Sequence, residues 1–182
     1  MNNTPTTMTL LALFLLTTSA CSDQNAQLTT AISDQSDQIN TLTQRIADLE
    51  AREDIRALIL AYGKAHDHRD YRTYASLFAE EGEWVSGMGT ATGPDAIFAF
   101  LDDAIGHNPL PEGSGTYHIM TNEQIDVDGD RASANTKWIY ITKSPDNTPY
   151  FFSLGHYIDE FIRVDGEWKF QRRESIREIP GE

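Results

Sequence analysis

The rhythm of apolar and polar positions changes along the chain, and each change predicts a different element. Met1 to Ala20 carry no charge, and the apolar run Leu10 to Leu16 is too short to span about 30 Å of hydrocarbon. Residues 22 to 53 are rich in Gln, Ser, Thr, Asp and Asn and hold neither Pro nor Gly, so nothing in them breaks a helix. Within that polar stretch Leu28, Ile32, Gln35, Ile39, Leu42, Ile46 and Leu49 alternate at spacings of four and three, the seam of a coiled coil. Leu at one seam position and Ile at the other favour three or four strands. The same residues also suit an amphipathic helix packed on its own domain, because roughly three heptads are near the minimum for an independent coiled coil.

From Glu53 the spacing of Ile55, Leu58, Ile59 and Tyr62, continued by His66, predicts an amphipathic helix. Tyr71, Tyr74, Leu77 and Phe78 predict a second, shorter helix with Asp70 as its N-cap. Gly82 to Val85 opens a strand, and Pro94 precedes a third helix from Asp95 to Leu101. The loop Gly106 to Gly115 ends that helix. Residues 116–127, 131–143, 150–164 and 167–176 are rich in Tyr, Phe, Trp, Ile and Thr and read as strands. Asp128-Gly129 and Asp165-Gly166 mark hairpins between them. Helices first and antiparallel strands after predict an α+β domain, a curved and mainly antiparallel sheet wrapped as a cone-shaped barrel around N-terminal helices. The expected organisation is a signal segment at 1–20, a helical stalk at 21–52 and a folded domain at 53–182.

Composition narrows the function. The 182 residues are 40% hydrophobic and 10% aromatic, enough for one domain with a core. A net charge of -14, from 28 acidic against 14 basic residues, gives a nucleic-acid backbone no electrostatic footing and disfavours acidic lipid surfaces. The single cysteine excludes an internal disulfide framework and a cysteine-rich zinc site.

Thr17-Thr18-Ser19-Ala20 followed by Cys21 resembles the lipobox at which bacterial lipoproteins are cut and acylated, although Thr18 replaces the usual Leu and no Lys or Arg precedes the apolar run. Acylation of Cys21 would tie the chain to a membrane by lipid. Ser22 stands where an aspartate signals inner-membrane retention, so the expected location is the cell envelope, at the periplasmic face of the outer membrane. The alternative is an ordinary secretory signal with an incidental cysteine.

The candidate chemistry is sparse. Strand alternation places His118, Met120 and Asn122 on one face, which fits either a lined pocket or a core histidine satisfied by one hydrogen bond. His66-Asp67-His68-Arg69-Asp70 fits a solvated helix end, with Asp67 a turn or cap residue. His66 and His68 point to opposite sides of a helix, so no metal site is expected. Phe151, Gly155, Tyr157, Asp159 and Phe161 share one face of the late strand, and Phe152, Leu154, His156 and Ile158 the other; the spacing leaves open which face is concave. Trp84, Trp138 and Trp168 read as packing residues. No phosphate-cradling glycine loop, nucleophile elbow or zinc-protease helix appears, which points away from serine hydrolysis and nicotinamide chemistry.

Several short motifs, taken with the order of elements, resemble the SnoaL-like branch of the nuclear transport factor 2-like superfamily, and within it scytalone dehydratase and hexachlorocyclohexane dehydrochlorinase. They are Ile55 to Asp70, Leu77-Phe78 with Glu83-Trp84, Thr116-Tyr-His118 with Asn122, and Gly155-His-Tyr157 leading to Asp165-Gly-Glu-Trp168-Lys-Phe170. The resemblance implies a pocket for a small, largely apolar molecule, no cofactor, and a buried dyad of Asp67 and His118. In such a dyad the carboxylate fixes the imidazole tautomer and stabilises the protonated ring, and the imidazole moves the proton. It also implies a homo-oligomer, a trimer or a dimer. Tyr62 stands where the dehydrochlorinase has an assisting lysine, and Gly155 and Tyr157 replace the hydroxyl and amide pair of the dehydratase. Tyr62, Asn122 and Tyr157 are therefore candidates for orienting substrate. The implied activity is a dehydratase-type lyase or isomerase; the competing reading is a binding or assembly module without catalysis.

Overall fold

The computed structural model describes residues 7–106 and 116–179, with side chains from Gln24 onward. The signal segment Met1 to Ala20, apart from its backbone from Thr7, and the Cys21 side chain lie outside the described residues, as does most of the loop Gly106 to Gly115. The chain forms two compact units, Met1–Ala47 and Asp48–Glu182. The helix α1 (Thr7–Asp67) is continuous, because no Pro or Gly interrupts its backbone until Gly63. In the first unit the seam residues Leu28, Ile32, Ile39, Leu42 and Ile46 are exposed, between 55% and 66%. No helix among the described residues is long and apolar enough to cross a membrane.

In the second unit the α1 stripe Ala51, Ile55, Leu58, Ile59, Tyr62 and Ala65 is buried, as its helical spacing requires. Asp70 caps α2 (Tyr71–Ser76), its Oδ1 accepting from the Thr73 N–H at 3.1 Å. This helix stops before the expected Leu77 and Phe78. The Leu77 carbonyl instead accepts from the Phe170 N–H at 2.9 Å, and Phe78 starts β1 (Phe78–Ser86) in register with Phe170. The short strand β2 (Gly89–Thr92), which pairs with β1, has no counterpart in the apolar pattern. Next come α3 (Pro94–Ile105) with its expected N-terminal proline, then β3 (Tyr117–Asp128), β4 (Arg131–Lys143), β5 (Pro149–Val164) and β6 (Glu167–Ile179).

These strands form one six-stranded sheet in the order β2-β1-β6-β5-β4-β3, antiparallel except for the parallel pair β1 and β6. The expected barrel is corrected in one respect. The sheet stays open, because β2 and β3 are its two edges and share no hydrogen-bonded register. The β5–β6 hairpin turns at Asp165-Gly166, both with positive φ, which only a primed turn with a permissive residue allows.

The concave face carries Ala132, Ala134, Thr136 and Trp138 of β4 and Ser153, Gly155, Tyr157, Asp159 and Phe161 of β5, all buried. This settles the face of the late strand, except that Phe151 leaves it. Ser153 keeps the inward position by alternation, opposite Tyr140, and the register shift between Tyr140 and Ile141 leaves Phe152 as an extra residue and turns Phe151 outward, where it is exposed. Gly155 faces Trp138 across the ladder, and a Cβ there would meet the Ile176 carbonyl at 1.9 Å and Trp138 Cζ2 at 2.8 Å. The indole therefore lies over a position that only glycine can fill.

Candidate functional site

The end of α1 and the start of β3 are bonded together at the site. Thr116 Oγ1 donates to the Asp67 carbonyl at 3.0 Å, so the strand begins where the helix stops. The Asp67 carboxylate then holds His118 twice: Oδ2 accepts from its backbone N–H at 2.9 Å, and Oδ1 lies 2.7 Å from ring Nδ1. Two donors on one carboxylate place the neutral ring's proton on Nδ1 and leave Nε2 as the free acceptor. The two side chains are only 8% (His118) and 14% (Asp67) exposed, so water screens the contact little.

Gly63 lets the helix come this close. A Cβ there would stand 2.9 Å from Met120 Cε and 3.6 Å from His118 Cβ, so His118 and Met120 both face α1. Tyr140 of β4 pairs with His118 across the ladder and stacks on its ring, centroids 4.5 Å apart and planes 26° apart. The expected common face of His118 and Met120 is thus present.

Asn122 does not join them. It has φ 55° in a bulge where Asn122 and Glu123 together stand opposite Thr136, and its side chain is exposed. The extra residue reverses the alternation, so that Ile125 and Val127 face inward after it. Strict period-two reading fails at that point.

Tyr62 and Tyr157 belong to a second cluster, built around Arg173 and Asp159. The Arg173 guanidinium donates from Nε and Nη2 to the two Asp159 oxygens at 2.7 and 2.6 Å, with both side chains fully buried. Its Cζ lies 4.1 Å from the Tyr62 ring centroid, 4.1 Å from Tyr157 and 4.2 Å from Phe170. Burial opposes the Arg173 charge, and Asp159 more than offsets this, leaving the guanidinium above its ordinary pKa. The Tyr62 hydroxyl accepts from Trp84 Nε1 at 3.2 Å and from the Tyr74 hydroxyl. Tyr62 is therefore committed to the protein and does not touch His118. Trp84, Trp138 and Trp168 are buried in the core.

Sequence reasoning missed two parts of this region. The Arg173–Asp159 pair is hidden by a shift at Gln171, where Phe161 meets Phe170 while Glu160 meets Arg172, which turns Arg173 inward. The second is His66, which the sequence places at the end of an apolar stripe and in a solvated helix end with His68, without its contact to His118. Its ring packs 4.4 Å from His118, 5.9 Å from Tyr74 and 6.1 Å from Tyr71, centroid to centroid. It thereby links the two clusters through the Tyr62–Tyr74 contact at 4.3 Å. With Asp67 and His118 it forms a group whose ligand-type atoms lie within 4.8 Å of one another.

Burial first, and the adjacent His118 second, lower the His66 pKa from 6.5 to about 3. The folded value lies below the unfolded one, so between these pH values unfolding takes up a proton and stability falls as the pH falls. At about 1.4 kcal/mol per pH unit, His66 removes about 2 kcal/mol of stability between pH 6.5 and 5. Urea titrations of wild type and His66→Leu across that range, in chelator-containing buffer, should show the extra slope in wild type only. Equal slopes would refute it.

The chain belongs to the SnoaL-like domain family, whose model matches residues 47–174. Among solved structures it is similar to an NTF2-like protein with a cystatin-like fold from Novosphingobium aromaticivorans, 28% identical over 77% of this chain and 90% of that one, with a TM-score of 0.66. A provisionally assigned scytalone dehydratase from the same organism is 26% identical over 72% of this chain and 87% of its own, TM-score 0.58. LinA shares the fold at 24% identity, over 72% of this chain and 88% of its own, TM-score 0.59. No curated protein matches the chain in sequence.

Proposed function

We propose that the SnoaL-like domain is a cofactor-independent acid–base lyase or isomerase of the dehydratase type, acting on a small, largely apolar molecule that carries an oxygen or halide leaving group. The observation that carries this reading is the 2.7 Å contact between Asp67 Oδ1 and His118 Nδ1. With that proton held, Nε2 takes a proton from substrate carbon, the C–H electron pair becomes the new double bond, and the ring returns the proton to the departing hydroxyl as water. Asp67 offsets the charge on the imidazolium while it lasts. Membership of the family and similarity to a protein provisionally assigned as a dehydratase agree with this.

Three buried polar atoms of the domain are, in this proposal, the candidate donors to the substrate. Thr136 Oγ1, Trp138 Nε1 and Arg173 Nη1 make no hydrogen bond among the described residues. Arg173 already has Asp159, so these donors suit a neutral oxygen acceptor better than an anion. The test is a panel of hydroxylated and halogenated alicyclic compounds followed by NMR in D2O, wild type against His118→Ala. Turnover or solvent exchange confined to wild type supports the reading; equal behaviour of both proteins refutes it.

The N-terminal region takes a separate role in the same proposal. Cys21 carries the lipid that holds the protein at the periplasmic face of the outer membrane, after removal of residues 1–20, and residues 21–52 form a stalk that spaces and gathers the domains. The exposed Leu and Ile seam supports self-association, since apolar side chains at this spacing find their burial in a second copy. Deleting residues 22–50 should convert a trimer or dimer to a monomer in sedimentation equilibrium, and Cys21→Ser should move the protein from the membrane to the soluble fraction. An unchanged mass, or unchanged fractionation, would overturn the corresponding half. Were the seam essential and His118 dispensable, the assembly module would be the better reading.

A further inference from the structure

We propose that His66, Asp67 and His118 bind one divalent transition-metal ion, zinc or a neighbour in its row, and that the ion regulates the centre by withdrawing Asp67 and His118 from the acid–base pair. The binding half stands on geometry alone; the regulatory half rests on the acid–base reading.

One nitrogen of each ring and one carboxylate oxygen lie within 4.8 Å of one another, although His118 is 51 residues from Asp67 in sequence. Two imidazoles and a carboxylate are the donor set of three-ligand zinc sites that keep open positions, and imidazole also suits Co2+, Ni2+ and Cu2+. With metal–ligand bonds of about 2.0–2.2 Å, ligand atoms around a tetrahedral ion stand about 3.3 Å apart. The 2.7 Å pair of Asp67 and His118 therefore opens slightly, and the nitrogen of His66 closes in by up to about 1.5 Å.

The surroundings permit that adjustment. Asp67 is fixed from behind, its Oδ2 by the His118 N–H and its carbonyl by Thr116, so the carboxylate keeps its aim as Oδ1 changes partner. Among the described residues the His66 ring is held by ring packing and by a hydrogen bond with its own backbone, so its rotation gives up that one local bond and no bond to another residue. Beyond His118 itself, Arg69 opposes positive charge at His66, whereas the chain as a whole, at -14, draws cations. An ion on Nδ1 of His118 replaces the contact with Asp67 and moves the ring proton to Nε2, which abolishes the free base.

The full chain, stripped with chelator, is titrated with Co2+ and then with Zn2+, reading the visible ligand-field bands and the calorimetric stoichiometry. One ion per chain is expected, displaced by Zn2+. His66→Leu should weaken binding by about tenfold or more and His118→Ala by about a hundredfold, whereas His156→Ala, which alters an imidazole paired with Glu178 elsewhere, should leave it unchanged. Circular dichroism of each variant reports folding. Where a variant does not fold, paramagnetic broadening by Co2+ of the His66 and His118 ring signals in wild type, with His156 spared, reads the same site. Binding that ignores both substitutions, broadening centred on His156, or no binding overturns the proposal. Should Zn2+ bind at this site while turnover persists, the regulatory half falls. Activity that depends on His118 without any metal binding removes this inference and leaves the acid–base reading intact.

Discussion

Arg173→Met is expected to lower the stability of the SnoaL-like domain by about 3–5 kcal/mol, with a fall in Tm on the order of 10–20 °C. The substitution keeps most of the side-chain volume but strands the Asp159 carboxylate, which is fully buried and has both oxygens bonded to Arg173. It also removes the cation held against Tyr62, Tyr157 and Phe170. The loss is therefore mainly that of an uncompensated buried charge and is not a measure of the pair's net worth. The double variant Arg173→Met with Asp159→Leu tests this distinction: it should recover much of the stability, because the desolvation of both ions goes with them. Urea midpoints for the four proteins of the cycle give the coupling directly. A single-variant loss below about 1 kcal/mol would mean that the pair is solvated in solution.

The second large effect is on chemistry. His118→Ala should reduce turnover by about 10²–10⁴, the range for loss of a general base. Asp67→Asn is the more discriminating change. The amide oxygen still accepts from the His118 N–H, but its NH2 then faces Nδ1 and forces the proton onto Nε2. A ring in the wrong tautomer cannot take a proton from substrate, and such exchanges cost up to about 10⁴ in kcat. Asp67→Asn should thus match His118→Ala in kcat with little change in KM or Tm, and the double variant should be no worse than either single one. Additive losses would indicate that the two residues work independently.

The sequence exposed the fold well wherever local rules act alone. The stripe from Ile55 to Tyr62, the Asp70 cap and the hairpin at Asp165-Gly166 depend on neighbouring residues only, and each is present where its local signal lies. Bulges are different, since they depend on the partner strand. Counting in twos puts Asn122 and Phe151 on the inward faces, and an inserted residue turns both outward. The shift at Gln171 hid Arg173 in the same way. The pattern shows His66 as a helix position, and its meeting with His118 needs the approach of β3 to Gly63, which no local pattern encodes. The contact between Asp67 and His118 also joins distant segments, and only the family resemblance implies it.

The bulge at Asn122 has a consequence for solubility. β3 is an edge strand of the sheet and twelve residues long; α1 engages part of its edge, Asp67 accepting from the His118 N–H and Arg52 donating to the Ile125 carbonyl, and Tyr117 and Ile119 on its outer side are exposed. An uninterrupted edge of that length offers its amides and carbonyls to any foreign strand. The kink divides the edge into two short segments with mismatched pleats, so an incoming chain finds no continuous template on which fibrillar stacking could start.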